Sequence, residues 1–191
     1  MISQEQEVKV MLTQSQADAI AAAYPFSAPF TQTNTYYDTP DQALRQQGLG
    51  LRIRQFATHA EQTLKVPAAG DRVLTELTDP LSVATARALT AAGRLQADGL
   101  VARALTARGV DWAQLAPFAQ ATTTRRLCQQ AEGLLTLDET CYANRTRDRE
   151  LELEFTDAAR AKPFFAQLIA RFQLDPTPPR NKVARAAQNV K

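Results

Sequence analysis

The sequence predicts an α+β fold in which antiparallel strands flank a helical insert at about residues 80–115. Three observations carry this expectation. Apolar and polar residues alternate with period two on both sides of the insert. Short turns separate most of these segments, which implies antiparallel pairing. The 191 residues are 45% hydrophobic and 22% charged, enough apolar content for one domain over 1–191 to bury a core without disulfides or a structural metal.

The elements follow in order. Glu5, Glu7 and Lys9 oppose Val8, Val10 and Leu12, which reads as a strand. Thr13 with Gln16 three residues on forms a capping box and opens a short helix that ends near Tyr24-Pro25. Thr33 to Asp38 is a Thr- and Tyr-rich strand, followed by a Thr39-Pro40-Asp41 turn. In Leu49 to Phe56, Leu51 and Ile53 oppose Arg52 and Arg54. Gln62–Val66 and Arg72–Leu77 are two more strands, joined by the Pro67–Asp71 turn. Asp79-Pro80 reads as the cap and first residue of a helix, with Ala-rich sequence running on to Gly93. A second helical stretch is expected at Gln96–Gly109 and a helical turn at Asp111–Leu115. Alternation returns at Ala119, giving strands at Thr122–Gln129, Leu134–Glu139 and Arg149–Phe155. Asp157 caps a helix that reaches about Phe172, where Pro176, Pro178 and Pro179 stop it. The basic tail from Arg180 is partly helical.

Composition narrows the function. A net charge of +2 argues against a general nucleic-acid binder. No apolar run approaches the roughly 20 residues of a membrane span, and the start MISQEQEVKV has no signal-peptide core. Cys128 and Cys141 form no disulfide framework, so a cytoplasmic setting is expected. With His59 as the single histidine, zinc is disfavoured, and a metal site built from carboxylates would select Mg²⁺, Mn²⁺ or Ca²⁺. His59 is expected on the surface and Cys128 in packing. There is no GxxxxGK[ST] loop and no GxGxxG after a strand.

The alternation leaves two architectures open. In a sandwich the charged faces meet water; in a closed barrel they line a cavity and the apolar faces lie under helices. Glu150, Glu152 and Glu154 share a face, with same-face neighbours about 6.6–6.8 Å apart. Glu5 and Glu7 form a second acidic row, and Asp138 joins the set. Arg52 and Arg54 form a basic row, with Lys65 and Arg125 on other strands. Each row alone fits a solvated face. Together, segregated rows of both signs fit a site for a polyanion and its metal ions.

These residues sit in a recognisable series of blocks. EQEVK resembles the ExExK signature of the CYTH domain, or triphosphate tunnel metalloenzyme, family. TNTYYDTPDQALRQQGLGLRIRQ, QTLKVP, LTELTDPL, LLTLDETCY with RELELEF, and PRNKVARA resemble the later blocks, in family order. The layout looks most like small members from Gram-positive bacteria. The resemblance implies a closed eight-stranded antiparallel β-barrel, a tunnel with charges inward and helices outside. It implies metal ligands at Glu5, Glu7, Asp138, Glu150, Glu152 and Glu154, holding Mg²⁺ or Mn²⁺. Substrate phosphates would meet Lys9, Arg52, Arg54, Lys65, Arg125 and Lys182, with Glu5, Glu7, Lys65 and Glu152 central to catalysis. Lys182 and Arg185 would close the tunnel. Glu76 matches an acidic family position, whereas Leu74 stands where many members carry a second acid. One of Tyr36 and Tyr37 would point inward. The implied activity is metal-dependent hydrolysis of the terminal phosphate of a small-molecule triphosphate, by a monomer or homodimer without nucleic-acid or membrane partners. The competing functions are adenylate cyclisation and non-enzymatic polyphosphate or nucleotide binding.

Overall fold

A computed structural model describes residues 1–68 and 73–190. The alternating segments form β1 (Ile2–Met11), β2 (Phe30–Asp38), β3 (Gly50–Gln55), β4 (Ala60–Pro67), β5 (Val73–Leu81), β6 (Ala116–Gln130), β7 (Gly133–Tyr142) and β8 (Arg147–Glu154). They close into an antiparallel barrel in the order β1-β5-β4-β3-β2-β6-β7-β8. Two meanders, β2–β5 and β6–β8, join through the β2–β6 ladder on one side. On the other side β1 pairs with both β5 and β8. Closure gives every strand a neighbour on each side, with β1 staggered so that Ile2–Gln6 pair with β5 and Glu7–Met11 with β8. It also settles the choice between sandwich and barrel.

The apolar faces turn outward under helices. Val10, Leu135, Leu151 and Leu153 pack beneath α1 (Gln14–Ala23) and α5 (Ala158–Phe172), which contribute Ile20, Phe165 and Leu168. Leu51, Ile53 and Leu64 pack with Leu44 of α2 (Ala43–Gln46), Ala86 of α3 (Val83–Ala91), and Val101 and Leu105 of α4 (Leu100–Thr106). Each fully buried side chain of this kind contributes roughly 1.5–3 kcal/mol. That burial holds elements as short as α4, which would not persist alone. The expected capping box at Thr13 and Gln16 is present, as is the Asp157 cap of α5. The turn at Asp111 is a single 3₁₀ turn, Trp112–Gln114.

The local reading needs correction at three points. Asp79-Pro80 does not open a helix: both residues belong to β5, and Ser82 caps α3. The Asp79 carboxylate instead caps α4, accepting from the backbone N–H groups of Leu100 and Val101 at 2.8 and 2.9 Å. Gly99, at φ 104°, makes room for this; a Cβ there would lie 2.5 Å from Asp79 Oδ2. The second helix of the insert is correspondingly shorter than Gln96–Gly109. Helix α2 was not expected at all, and Asp38 secures it by accepting from the N–H groups of Leu44 and Arg45 at 2.9 and 3.2 Å. Residues 69–71 of the expected Pro67–Asp71 turn, and the expected strand start at Arg72, lie outside the described residues.

Helix α6 (Lys182–Gln188), capped by Asn181, forms from the basic tail. Its Ala186 and Val183 pack on Tyr36, Ala119, Ala121 and Tyr142, which brings it against the inner barrel wall. A register shift in the β2–β6 ladder falls between Tyr36 and Tyr37. The extra residue is Phe118 of β6; β2 itself alternates regularly, so Tyr36 lines the lumen opposite Arg52 while Tyr37 joins the outer core opposite Leu51.

Candidate active site

The inward residues enclose a cavity of about 250 Å³. Strand alternation delivers Glu5, Glu7 and Lys9 from β1, Arg52 and Arg54 from β3, and Lys65 from β4. Glu76 comes from β5, Arg125 from β6, and Glu152 and Glu154 from β8, while α6 adds Lys182. Asp138 and Glu150 share the inner strand faces of Thr136 and Glu152 but are covered by Arg125, Lys182 and Arg185, at 1% and 0% exposure. Leu74 lines the cavity directly across the β1–β5 ladder from Glu5.

The charges pair across strands. Lys65 bonds to Glu5 and approaches Glu76 at 2.9 Å, and Glu76 lies 3.5 Å from Arg52. Lys9 bonds to Glu7 and lies 3.9 Å from Glu152. Arg125 donates two bonds to Asp138, at 2.8 and 2.6 Å, and a third to Glu152 at 3.1 Å. Lys182 reaches Asp138 at 2.5 Å, contacts Glu150, and lies 3.6 Å from Glu152. Arg185 contacts Glu150 and donates to Asp148 at 2.8 Å.

The acids fall into two groups with different chemistry. Asp138, Glu150 and Glu152 can bring ligand atoms within 4.8 Å of one another. Arg125, Lys182 and Arg185 interleave with them, so this buried group is already compensated by cations. Burial disfavours the charge on Glu152, but Lys182 and Arg125 outweigh it and hold the carboxyl well below its usual range. Burial pushes Glu150 up to about 7; Lys182 opposes this and Glu152 adds to it. Lys182 stays above the normal ammonium range because these carboxylates outweigh its burial.

The second group is Glu5, Glu7 and Glu154. Glu7 and Glu154 are direct partners on the β1–β8 ladder, and Glu5 is the next inward residue of β1. Among the described residues, Glu154 makes no ion pair within 4.0 Å. Burial, then Glu5, Glu76 and Glu7, raise its carboxyl above the usual range. A hard divalent cation beside neighbouring carboxylates relieves their mutual repulsion. The donors of the far wall have the opposite excess. Burial, then Arg52 and Arg125, pull Arg54 down to about 9, which leaves it cationic at neutral pH and short of anionic partners. The lumen can therefore hold a polyanion along one wall and a cation along the other.

Residues that the sequence reading did not single out support or line the cavity. Glu61 lies 3.6 Å from Arg54 and 4.0 Å from Arg52. Its spacing of two from Thr63 and four from Lys65 placed it on their face, a signal that was available. Asn34 accepts from Arg54 Nε at 2.8 Å and is on the same strand face as Tyr36. Thr136 and Asn181 also line the cavity. His59 is exposed and stacks on Phe56 with ring centroids 4.2 Å apart; the Phe56 ring in turn lies 6.0 Å from the Arg54 guanidinium. Cys128 is buried in the outer core and Cys141 is half-buried; both are free thiols. No described helix is long and apolar enough to cross a membrane.

Comparison with known proteins gives three concordant results. The model for the CYTH domain matches residues 3–187. A Bacillus subtilis protein, YjbK, provisionally named a triphosphatase, is 32% identical over 188 residues, covering 96% of this chain and 95% of that one. A Bacillus halodurans crystal structure, provisionally named an adenylate cyclase, superposes with a TM-score of 0.88 at 26% identity, covering 96% and 97% of the two chains. A Hippeastrum protein, provisionally named an adenylyl cyclase and described as having a dominant triphosphatase activity, shares the fold. Its TM-score is 0.81 at 22% identity, over 98% of this chain and 97% of that one.

Proposed function

The chain belongs to the CYTH domain family, and from that premise we propose that it is an enzyme hydrolysing the terminal phosphate of a small-molecule triphosphate. The single observation that carries this reading is the division of the lumen. Arg52, Arg54, Arg125 and Lys182 face the same cavity as Glu5, Glu7 and Glu154. The name of the YjbK relative points the same way.

Hydrolysis of a phosphoanhydride needs alignment and charge neutralisation more than covalent participation. In this reading Arg52, Arg54 and Arg125 hold phosphate oxygens through planar, multiply donating guanidiniums. Lys9, Lys65 and Lys182 add ammoniums that exchange some of their carboxylate contacts for substrate. Glu5, Glu7 and Glu154 would hold Mg²⁺ or Mn²⁺, with Glu152 beside them. Such a cation supplies neutralisation of the charge on the phosphoryl oxygens. The enclosed wall limits water, which strengthens each of these contacts. A water oxygen bonds to the terminal phosphorus as the bridging P–O bond breaks; the bridging oxygen keeps the electron pair and departs with the diphosphate product, the water's proton passes to solvent, and orthophosphate is released. In this reading Asp138 and Glu150, deeper on the inner face, hold Arg125 and Lys182 in place.

We read the setting as cytoplasmic because both thiols are free, and the working unit as a monomer or homodimer. The test is incubation with tripolyphosphate, thiamine triphosphate and ATP, each with Mg²⁺ or Mn²⁺. Orthophosphate release is the expected result. Pyrophosphate with cyclic AMP would mean cyclisation, and binding without products would mean a polyphosphate binder; either overturns the proposal.

A further inference from the structure

Asn34 is fully buried, at 0% exposure, directly across the β2–β3 ladder from Arg54. Its side-chain oxygen accepts from Arg54 Nε at 2.8 Å. Because a guanidinium N–H can only donate, that contact fixes the amide orientation. The amide nitrogen is left as a buried donor without a partner. Its other ladder neighbour, Ala121 on β6, has only a methyl group and cannot accept. Nearby on the same inner face, Arg52 Nε is a second buried donor without a partner. Leaving a buried donor unsatisfied costs about 1–3 kcal/mol, so two together call for an acceptor that arrives from outside.

The charge balance names the acceptor. Arg52 and Arg54 both border the cavity, with Glu61 shared between them at 4.0 and 3.6 Å. A neutral amide donor beside two guanidiniums suits an oxyanion, and its lack of charge adds directionality without further repulsion. We propose that the Asn34 amide nitrogen and Arg52 Nε complete, with Arg54, a deep oxyanion subsite for a phosphate group. This rests on the triphosphatase reading and deepens it by giving the chain a neutral phosphate contact. The subsite would take the terminal phosphoryl group of the substrate or the orthophosphate product.

The test measures binding by calorimetry in chelator-treated buffer, so it needs no turnover. Tripolyphosphate and inorganic orthophosphate are titrated separately into the wild type and Asn34→Asp. The substitution keeps the volume and the acceptor for Arg54 but replaces the donating nitrogen by an anionic oxygen. Affinity for tripolyphosphate should fall at least tenfold, while the melting temperature is unchanged or higher. A fall for both ligands assigns the subsite to the free product as well; a fall for tripolyphosphate alone assigns it to the substrate. Asn34→Ala, which removes donor and acceptor together, is a second variant and should weaken binding at least fivefold. Affinities within twofold of wild type in every folded variant would overturn the inference. The enzyme assay is separate: a wild type that binds tripolyphosphate without cleaving it would sink the hydrolase reading and leave the subsite intact.

Discussion

Glu7 and Glu154 face each other across the β1–β8 ladder, two carboxylates on the inner wall of a closed barrel. Directly opposed like charges destabilise a sheet by roughly 0.2–1 kcal/mol. A cation between the strands, as the proposed function requires, would relieve that repulsion.

The first prediction concerns metal-linked stability. A cation present at 100 times its dissociation constant stabilises by about 2.7 kcal/mol. For a chain of this size that raises the melting temperature by about 5–10 °C. Thermal unfolding with and without Mn²⁺ should show this shift, and Glu154→Gln should reduce it by at least half. In chelator the same variant should be as stable as the wild type or slightly more so. A full metal response in Glu154→Gln would remove that residue from the ligand set.

Arg54 is held at the phosphate wall by Asn34 and Glu61. Removing a charge-assisted contact costs about 1.5–3 kcal/mol. Arg54→Ala should therefore raise KM by roughly 10–100-fold, with a smaller loss in kcat. Steady-state kinetics on the best substrate decide it. A loss confined to kcat would move Arg54 from binding to the chemical step.

Lys182 is the cation that α6 delivers to Asp138 and Glu150. Without it, carboxylates in the barrel wall lose a partner they cannot replace with water. Lys182→Ala should cost about 3–5 kcal/mol, read as a lowered midpoint in urea unfolding. A variant as stable as the wild type would show that the helix is not held by these pairs.

Asp79 lies on the other side of the barrel and should report on structure alone. Its carboxylate caps α4 through the N–H groups of Leu100 and Val101. Asp79→Ala should lower stability by about 1–2 kcal/mol and leave kcat/KM within twofold. A change in kinetics larger than that would tie the helical insert to the site.

How much of this was legible in the sequence varies with the range of the interaction involved. Period-two alternation located the strands, since Leu51/Ile53 against Arg52/Arg54 is a local property of β3. It could not say which face turns inward; only closure of β1 onto both β5 and β8 decides that. The Asp79-Pro80 pair obeys the local grammar of a helix start, yet its carboxylate serves a helix 21 residues on. Tyr36 and Tyr37 were indistinguishable because alternation says only that they face opposite ways; which one is inward is set by the pairing of Tyr36 with Arg52 on β3. Asp138 and Glu150 are metal ligands by resemblance alone; alternation also put them on inward faces, but not beside Lys182, 44 residues from Asp138, or Arg185, 35 residues from Glu150. Those ion pairs are long-range and leave no local mark.

The most direct test of the central claim is the rate of orthophosphate release from tripolyphosphate by the wild type and by Glu7→Gln, with Mn²⁺ and with chelator. The account predicts release by the wild type only with metal, and a fall of two orders of magnitude or more, about 2.7 kcal/mol, in a folded Glu7→Gln. Equal rates for the two proteins, or unchanged release by the wild type in chelator, would contradict it.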